Sequence, residues 1–133
     1  MTRWEVYRQV ASWLRPAFST APAQVPSPSM PWERIVEAAS HHLVTPAIGW
    51  VLLKQPSIEG HVADYFEAIL YLNRERNQAL VDLLAVVLAS LNAAGIRPAP
   101  LKGAAFLVDD AYPDPGLRVL ADLDLLVPEP QLE

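Results

Sequence analysis

Apolar residues recur along the first two thirds of the chain at helical spacing. From Trp4 to Leu14, the residues Trp4, Tyr7, Val10, Ala11 and Leu14 fall three or four positions apart, which gathers them on one face of a short amphipathic helix that ends at Pro16. Five prolines among Ser, Thr and Ala between Pro16 and Pro31 then predict a loop, because proline has no backbone donor to give to a helix or a sheet. A second helix is predicted to open at Pro31, with Glu33 in its first turn, and to run to about His42. Pro46 restarts a third, through Ile48, Val51 and Leu52 to about Lys54. The longest periodic signal spans Glu59 to Ala94, where Val62, Phe66, Ile69, Leu80, Leu83, Val87 and Leu91 predict one long helix or two joined by a kink. Its seam is interrupted by Asn73, Arg74, Glu75, Arg76 and Asn77, a stretch expected to meet solvent or a polar partner surface. Gly95 supplies the stop, since glycine takes the positive φ of a helix end without a side-chain penalty.

The pattern changes after Gly95. Ile96 to Leu101 is a short apolar run with two prolines, the pattern of an edge strand. Gly103 to Ala111 reads as a short helix, Tyr112-Pro113-Asp114-Pro115-Gly116 as a turn, and Leu120 to Val127 as a buried strand. The expected fold class is α+β, with a mainly helical region over 1–94, including the proline-rich loop at 16–31, followed by a strand-helix-strand unit over 95–133.

Composition narrows the functional classes. A chain of 133 residues that is 52% hydrophobic suits one compact unit or two small packed ones and has ample apolar surface to fold. With no cysteine it can form neither a disulfide framework nor a thiolate metal site, and it has no Cys nucleophile. A formal net charge of −5 argues against bulk phosphate neutralisation of a nucleic acid. That acidity is uneven: residues 1–94 carry 7 basic and 8 acidic side chains, residues 95–133 carry 3 and 7. The apolar stretch from Ala79 to Ala94 is broken by Asp82, Ser90 and Asn92, too short and too polar to span a bilayer. No export signal is read at the start of the chain, and the expected location is cytoplasmic.

The acidic excess includes Asp122-Leu123-Asp124. On a strand, residues two apart share a face, so this spacing would present two carboxylates side by side. Left unpaired they repel each other and resist desolvation. A hard divalent cation such as Mg²⁺ removes both penalties by taking oxygen ligands and cancelling charge. The alternative is a strand end turned to solvent.

Three stretches place that pair in a larger pattern: Leu101-Lys102-Gly103-Ala104-Ala105, Tyr112-Pro113-Asp114-Pro115-Gly116-Leu117-Arg118, and Ala121 through Val127. Together they resemble the signature of the uncharacterised nucleotidyltransferase family, within the polymerase-β-like superfamily, and the long helix with Asn73, Arg76 and Asn77 is similar to that family's helical N-terminal region. The resemblance implies a strand ending in a glycine turn, a helix, and a second strand carrying two metal-binding aspartates. It implies Asp122 and Asp124 as catalytic ligands of Mg²⁺ in a two-metal site, Gly103 as the point where an NTP's phosphates approach the backbone, and transfer of a nucleoside monophosphate to an acceptor hydroxyl with release of pyrophosphate. Lys102 and Arg118 flank the same turn and are candidate phosphate contacts. The alternative for Lys102 is a solvated loop lysine, and for Arg118 a salt bridge to Asp114 or Asp122.

Two departures accompany the resemblance. Ala104 stands where the superfamily often has a serine, so no hydroxyl is offered to phosphate there. The superfamily's third carboxylate sits on a later strand, and Glu129 and Glu133, among prolines, are poor replacements. The expectation is therefore the first part of a catalytic domain. Two alternatives stay open: a catalytically inactive NTP-binding or regulatory module, and a helical interaction domain. An unpaired last strand, Leu125 to Val127, would favour a homo-oligomer through its edge.

Other chemistry is weaker. His41 and His42 are adjacent, about 100° apart on a helix, a poor chelating geometry. His61 reads as an ordinary helix residue, Asp109-Asp110 as a solvated helix end, and Trp4, Trp13, Trp32 and Trp50 as core or interface anchors. No Ser-His-Asp arrangement is indicated.

Overall fold

The computed structural model describes residues 1–58, 60–109 and 111–128. The expectations that fall on Glu59, Asp110, Glu129 and Glu133 lie outside the described residues. The fold is α+β, mostly helical with a small antiparallel sheet.

Helix α1, Arg3–Leu14, starts at a capping box in which the Thr2 hydroxyl accepts from the Glu5 N–H at 3.2 Å while the Glu5 carboxylate accepts from the Thr2 N–H at 2.5 Å. These bonds from Thr2 hold the Glu5 carboxyl below its ordinary range. Val6, Val10 and Trp13 are buried from α1 against Ile35, Ala38 and Ala39 of α2, Trp32–His41. Trp13 is fully buried, stacks on Trp32 at a centroid separation of 5.8 Å, and donates its indole N–H to the Gln24 carbonyl at 3.0 Å. That bond pins the proline-rich loop to the body. Trp4, in contrast, is exposed on α1, so only part of the tryptophan set anchors the core.

Helix α2 ends in a turn where Leu43 takes φ +58, Leu43 N–H donates to the Ser40 carbonyl and Val44 N–H to that of Ala39. This is a Schellman-type end with leucine where glycine is favoured. Helix α3, Thr45–Leu52, is buried on nearly every side, and Gly49 lets it lie close to the next helix: a Cβ there would meet Phe66 at 3.0 Å.

Helix α4, Gly60–Ala93, runs 34 residues without interruption, about 51 Å at 1.5 Å per residue. Its buried residues are Phe66, Leu70, Asn73, Asn77 and Leu84. The polar pair thus continues the apolar stripe at the same spacing, and the surface it meets is the 114–118 turn. Gly95, at φ +80, ends the helix as the sequence predicts.

After it come strand β1, Ala99–Pro100, helix α5, Lys102–Val108, a turn over 112–118, and strand β2, Leu125–Leu126. The strands pair antiparallel, Ala99 opposite Leu126 and Pro100 opposite Leu125. Both are shorter than the sequence suggests, and α5 ends at Val108, short of Ala111. Pro98 and Pro100 have no N–H to extend the ladder. Residues 116–118, in turn, give carbonyls to α4, which diverts the approach to β2 from strand pairing. Asp122 and Asp124 consequently precede β2 in irregular backbone, and Leu123 and Leu125 are half-buried where a buried strand face was expected.

Candidate functional site

The turn over 112–118 is the foundation of the site. Asp114 is buried and accepts from Nε of Arg74 at 2.9 and 3.1 Å and from Nη2 of the same guanidinium. Its Oδ1 also takes the Gly116 N–H at 2.8 Å. Burial pushes the Asp114 carboxyl up, but the Arg74 guanidinium and the Gly116 N–H outweigh it and hold the group below its ordinary range; Arg74 is correspondingly raised by its bond to Asp114. Beside Arg74 on α4, Asn73 donates to the carbonyls of Gly116 at 2.6 Å and Arg118 at 2.9 Å, and Asn77, three residues beyond Arg74, to those of Pro115 at 2.5 Å and Arg118 at 2.8 Å. Gly116 lies so close to α4 that a Cβ would meet Cγ of Arg74 at 2.6 Å. Three polar side chains of one helix thereby clamp a turn some forty residues away.

The clamp fixes the direction in which residues 117–124 leave the helix. Leu117 and Leu120 are buried, and Leu120 fills the space beside Gly103: a Cβ on Gly103 would lie 2.2 Å from Cδ2 of Leu120 and 3.0 Å from Nε of Arg118. A side chain at 103 would therefore push α5 off the segment that carries the aspartates. Arg118 donates from Nη1 to the Tyr112 hydroxyl at 3.3 Å. The ion pair with Asp114 considered for Arg118 is thus made by Arg74. Tyr112 meets Phe106 of α5 and Phe18 edge to face, at 6.1 and 6.2 Å. Arg118 and Tyr112 also line an open cleft of about 390 Å³, with Leu14, Phe18, Val44 and Leu117 among its walls.

The strand pairing brings the remaining residues together. Leu101 N–H donates to the Asp124 carbonyl at 2.9 Å, which puts the next residue, Lys102, beside the Asp124 side chain. Lys102 Nζ lies 3.0 Å from Asp124 Oδ2, with 73% of the lysine side chain and 35% of the aspartate exposed. The Lys102 ammonium is raised above its ordinary range by its bond to Asp124, by the Asp124 charge and by that of Asp122. Lys102 also holds φ +50, a left-handed conformation that L-residues avoid. Exposed ion pairs contribute little to stability, so the strained backbone here is not explained by the pair alone. Asp122 is exposed.

The structure thus gathers Lys102, Gly103, Arg118 and Asp124 around the start of α5, with Asp122 within electrostatic reach of Lys102. Asn73, Arg74, Asn77, Asp114 and Gly116, which hold that patch in place, are legible in the sequence only as a polar break in an apolar seam and a proline-rich turn. The His41 and His42 rings face each other edge-on at 5.0 Å, and no group of three His, Cys, Asp or Glu able to hold a metal occurs among the described residues. No helix among them is long and apolar enough to cross a membrane.

A short helix that opens at Lys102-Gly103 and a strand preceded by two acidic residues thus sit beside a turn clamped to the long helix. Over residues 28–133 the chain matches the model of the uncharacterised nucleotidyltransferase family, and it belongs to that family. No curated protein and no solved structure shows significant similarity to it.

Proposed function

We propose that residues 95–133 belong to a nucleotidyltransferase catalytic domain, with the helices of residues 1–94 as its support. The reaction is transfer of a nucleoside monophosphate from an NTP to an acceptor hydroxyl: the acceptor oxygen bonds to the α-phosphorus as the bond to the departing pyrophosphate breaks. The observation that carries this reading is the pairing of Leu101 with Asp124, which joins the start of α5, with Lys102 and Gly103, to the acidic segment inside the region that matches the family.

The donor set suits a hard divalent cation. Asp122 is exposed, Asp124 is about one-third exposed, both offer carboxylate oxygens, and the charge now facing Asp124 is a largely solvent-exposed ammonium. Asp122 and Asp124 would hold Mg²⁺, which when bound supplies neutralisation of the triphosphate's charge. Lys102 and Arg118 contact and orient the phosphates, Lys102 as a mobile point charge and Arg118 as a planar fork steadied by Tyr112. The absence of a side chain at Gly103 keeps the start of α5 tight against Leu120 and Arg118, which holds the backbone that the phosphates would approach in place. Positioning and charge neutralisation account for most catalysis of phosphoryl transfer, which is why no nucleophilic side chain is needed.

The test is incubation of labelled NTPs and Mg²⁺ with candidate hydroxyl acceptors, using the protein and an Asp122→Asn/Asp124→Asn variant. Labelling by the protein alone supports the assignment, and equal labelling by both sinks it. A second reading, an inactive NTP-binding or regulatory module, is favoured by one observation: Asp124 is already paired with the Lys102 ammonium at 3.0 Å. Calorimetry separates the two, since the regulatory reading requires Mg²⁺-NTP binding without turnover.

A further inference from the structure

Two ion pairs of opposite design lie on either side of the 114–124 segment. Arg74 grips Asp114 with two nitrogens, and the carboxylate is buried and also bonded to a backbone N–H, an arrangement suited to permanence. Lys102 meets Asp124 with one nitrogen at 3.0 Å, most of its side chain lies in water, and its four-carbon stem can swing aside. The juxtaposition does not depend on that contact, because the Leu101 N–H to Asp124 carbonyl bond and the β1–β2 pairing hold the two backbones together without it. Gly103, packed under Leu120 and Arg118, fixes the turn from the other side.

We infer that Lys102 is an exchangeable internal counter-ion: its ammonium occupies Asp124 when no divalent cation is bound, leaves when one arrives, and is thereby released toward the nucleotide's phosphates. This rests on the reading of Asp122 and Asp124 as a metal site and adds a rule for how that site is loaded. Lysine and metal compete for the same oxygen, so Lys102 neutralises Asp124 while no cation is bound, and a bare cation is held weakly. A cation arriving with a triphosphate meets no such opposition, because the phosphates take up the displaced ammonium. The site is therefore selective for the metal-nucleotide complex over the free ion.

The experiment is titration of the full chain with Mn²⁺ alone, followed by electron paramagnetic resonance of the free ion, and separately with tripolyphosphate in Mg²⁺. The proteins compared are the unaltered chain, Lys102→Met, Lys102→Arg and Asp124→Asn, each checked for an unchanged thermal melt. Lys102→Met is expected to bind Mn²⁺ about two- to fivefold more tightly, as loss of an exposed competing charge predicts, and to bind Mg²⁺-tripolyphosphate several-fold more weakly. Lys102→Arg retains a competing cation and stays near the unaltered chain for Mn²⁺. These opposite shifts cannot come from a merely structural lysine. If Asp124→Asn loses Mn²⁺ while Lys102→Met binds it no more tightly than the unaltered chain, the exchange is wrong and the metal site stands. If Asp124→Asn binds Mn²⁺ as well as the unaltered chain, the metal site itself is wrong and the exchange falls with it.

Discussion

The helical body and the segment that follows it are held by different forces. Around Trp13 the body is joined by apolar contact: Val6, Val10, Ile35, Ile48, Leu52 and Phe66 share one buried cluster. The 112–124 segment has a few buried leucines and is docked on α4 by Asn73, Arg74 and Asn77, each spanning about forty residues of sequence. Apolar packing tolerates small shifts and is indifferent to pH, whereas a polar clamp fixes direction and is sensitive to charge. The body supplies stability and the clamp supplies aim, which is what the proposed site of Lys102, Arg118, Asp122 and Asp124 would require.

The largest way to break this comparison is Trp13→Ala. It empties the centre of the body and frees the proline-rich loop at Gln24, and about 3–5 kcal/mol should be lost in a urea melt. Next is Asn77→Ala, expected to cost about 1–3 kcal/mol by leaving the carbonyls of Pro115 and Arg118 without this donor. Hydrogen exchange should then rise over 112–126 while α1 to α3 stay protected, and an even rise across the chain would show that the two regions are not separate.

Acid sharpens the contrast. Because the Asp114 carboxyl is held below its ordinary range in the folded chain, it stabilises the fold above the unfolded-state value, and that contribution fades as pH falls through the ordinary carboxylate range to the lowered folded value. Urea melts in this acidic window should show the unaltered chain losing stability faster than Asp114→Asn, which is weaker at neutral pH but flatter. The smallest effect is in the body: Leu43→Gly relieves the left-handed residue ending α2, and a gain of about 0.5 kcal/mol is expected in the same melts.

The same division explains what was legible in the sequence. Helices α1 to α4 follow from local apolar spacing, and Gly95 ends α4 where a residue of positive φ is needed. The strands are shorter than their apolar runs because a strand's length is set by its neighbour: Pro98 and Pro100 limit the ladder from one side and the α4 clamp holds the carbonyls of Gly116 and Arg118 on the other. Asn73 and Asn77 interrupt a hydrophobic pattern, yet they are buried, because their partners are carbonyls presented by a turn that no local rule places there. The grouping of Lys102, Gly103, Arg118 and Asp124 was readable from the motif, while the partner of Arg118 was not, since Arg74 reaches Asp114 from α4 and leaves Arg118 to Tyr112.

The central claim is that the junction of Lys102 and Asp124 is a metal-nucleotide site rather than a surface ion pair. Isothermal titration of the full chain and of Asp122→Asn/Asp124→Asn with Mg²⁺-NTP mixtures tests it most directly, with thermal melts recorded alongside. The account predicts saturable binding by the unaltered chain, at least tenfold weaker binding by the double variant, and coincident melts. Equal binding by both proteins, or none by the unaltered chain, would contradict it.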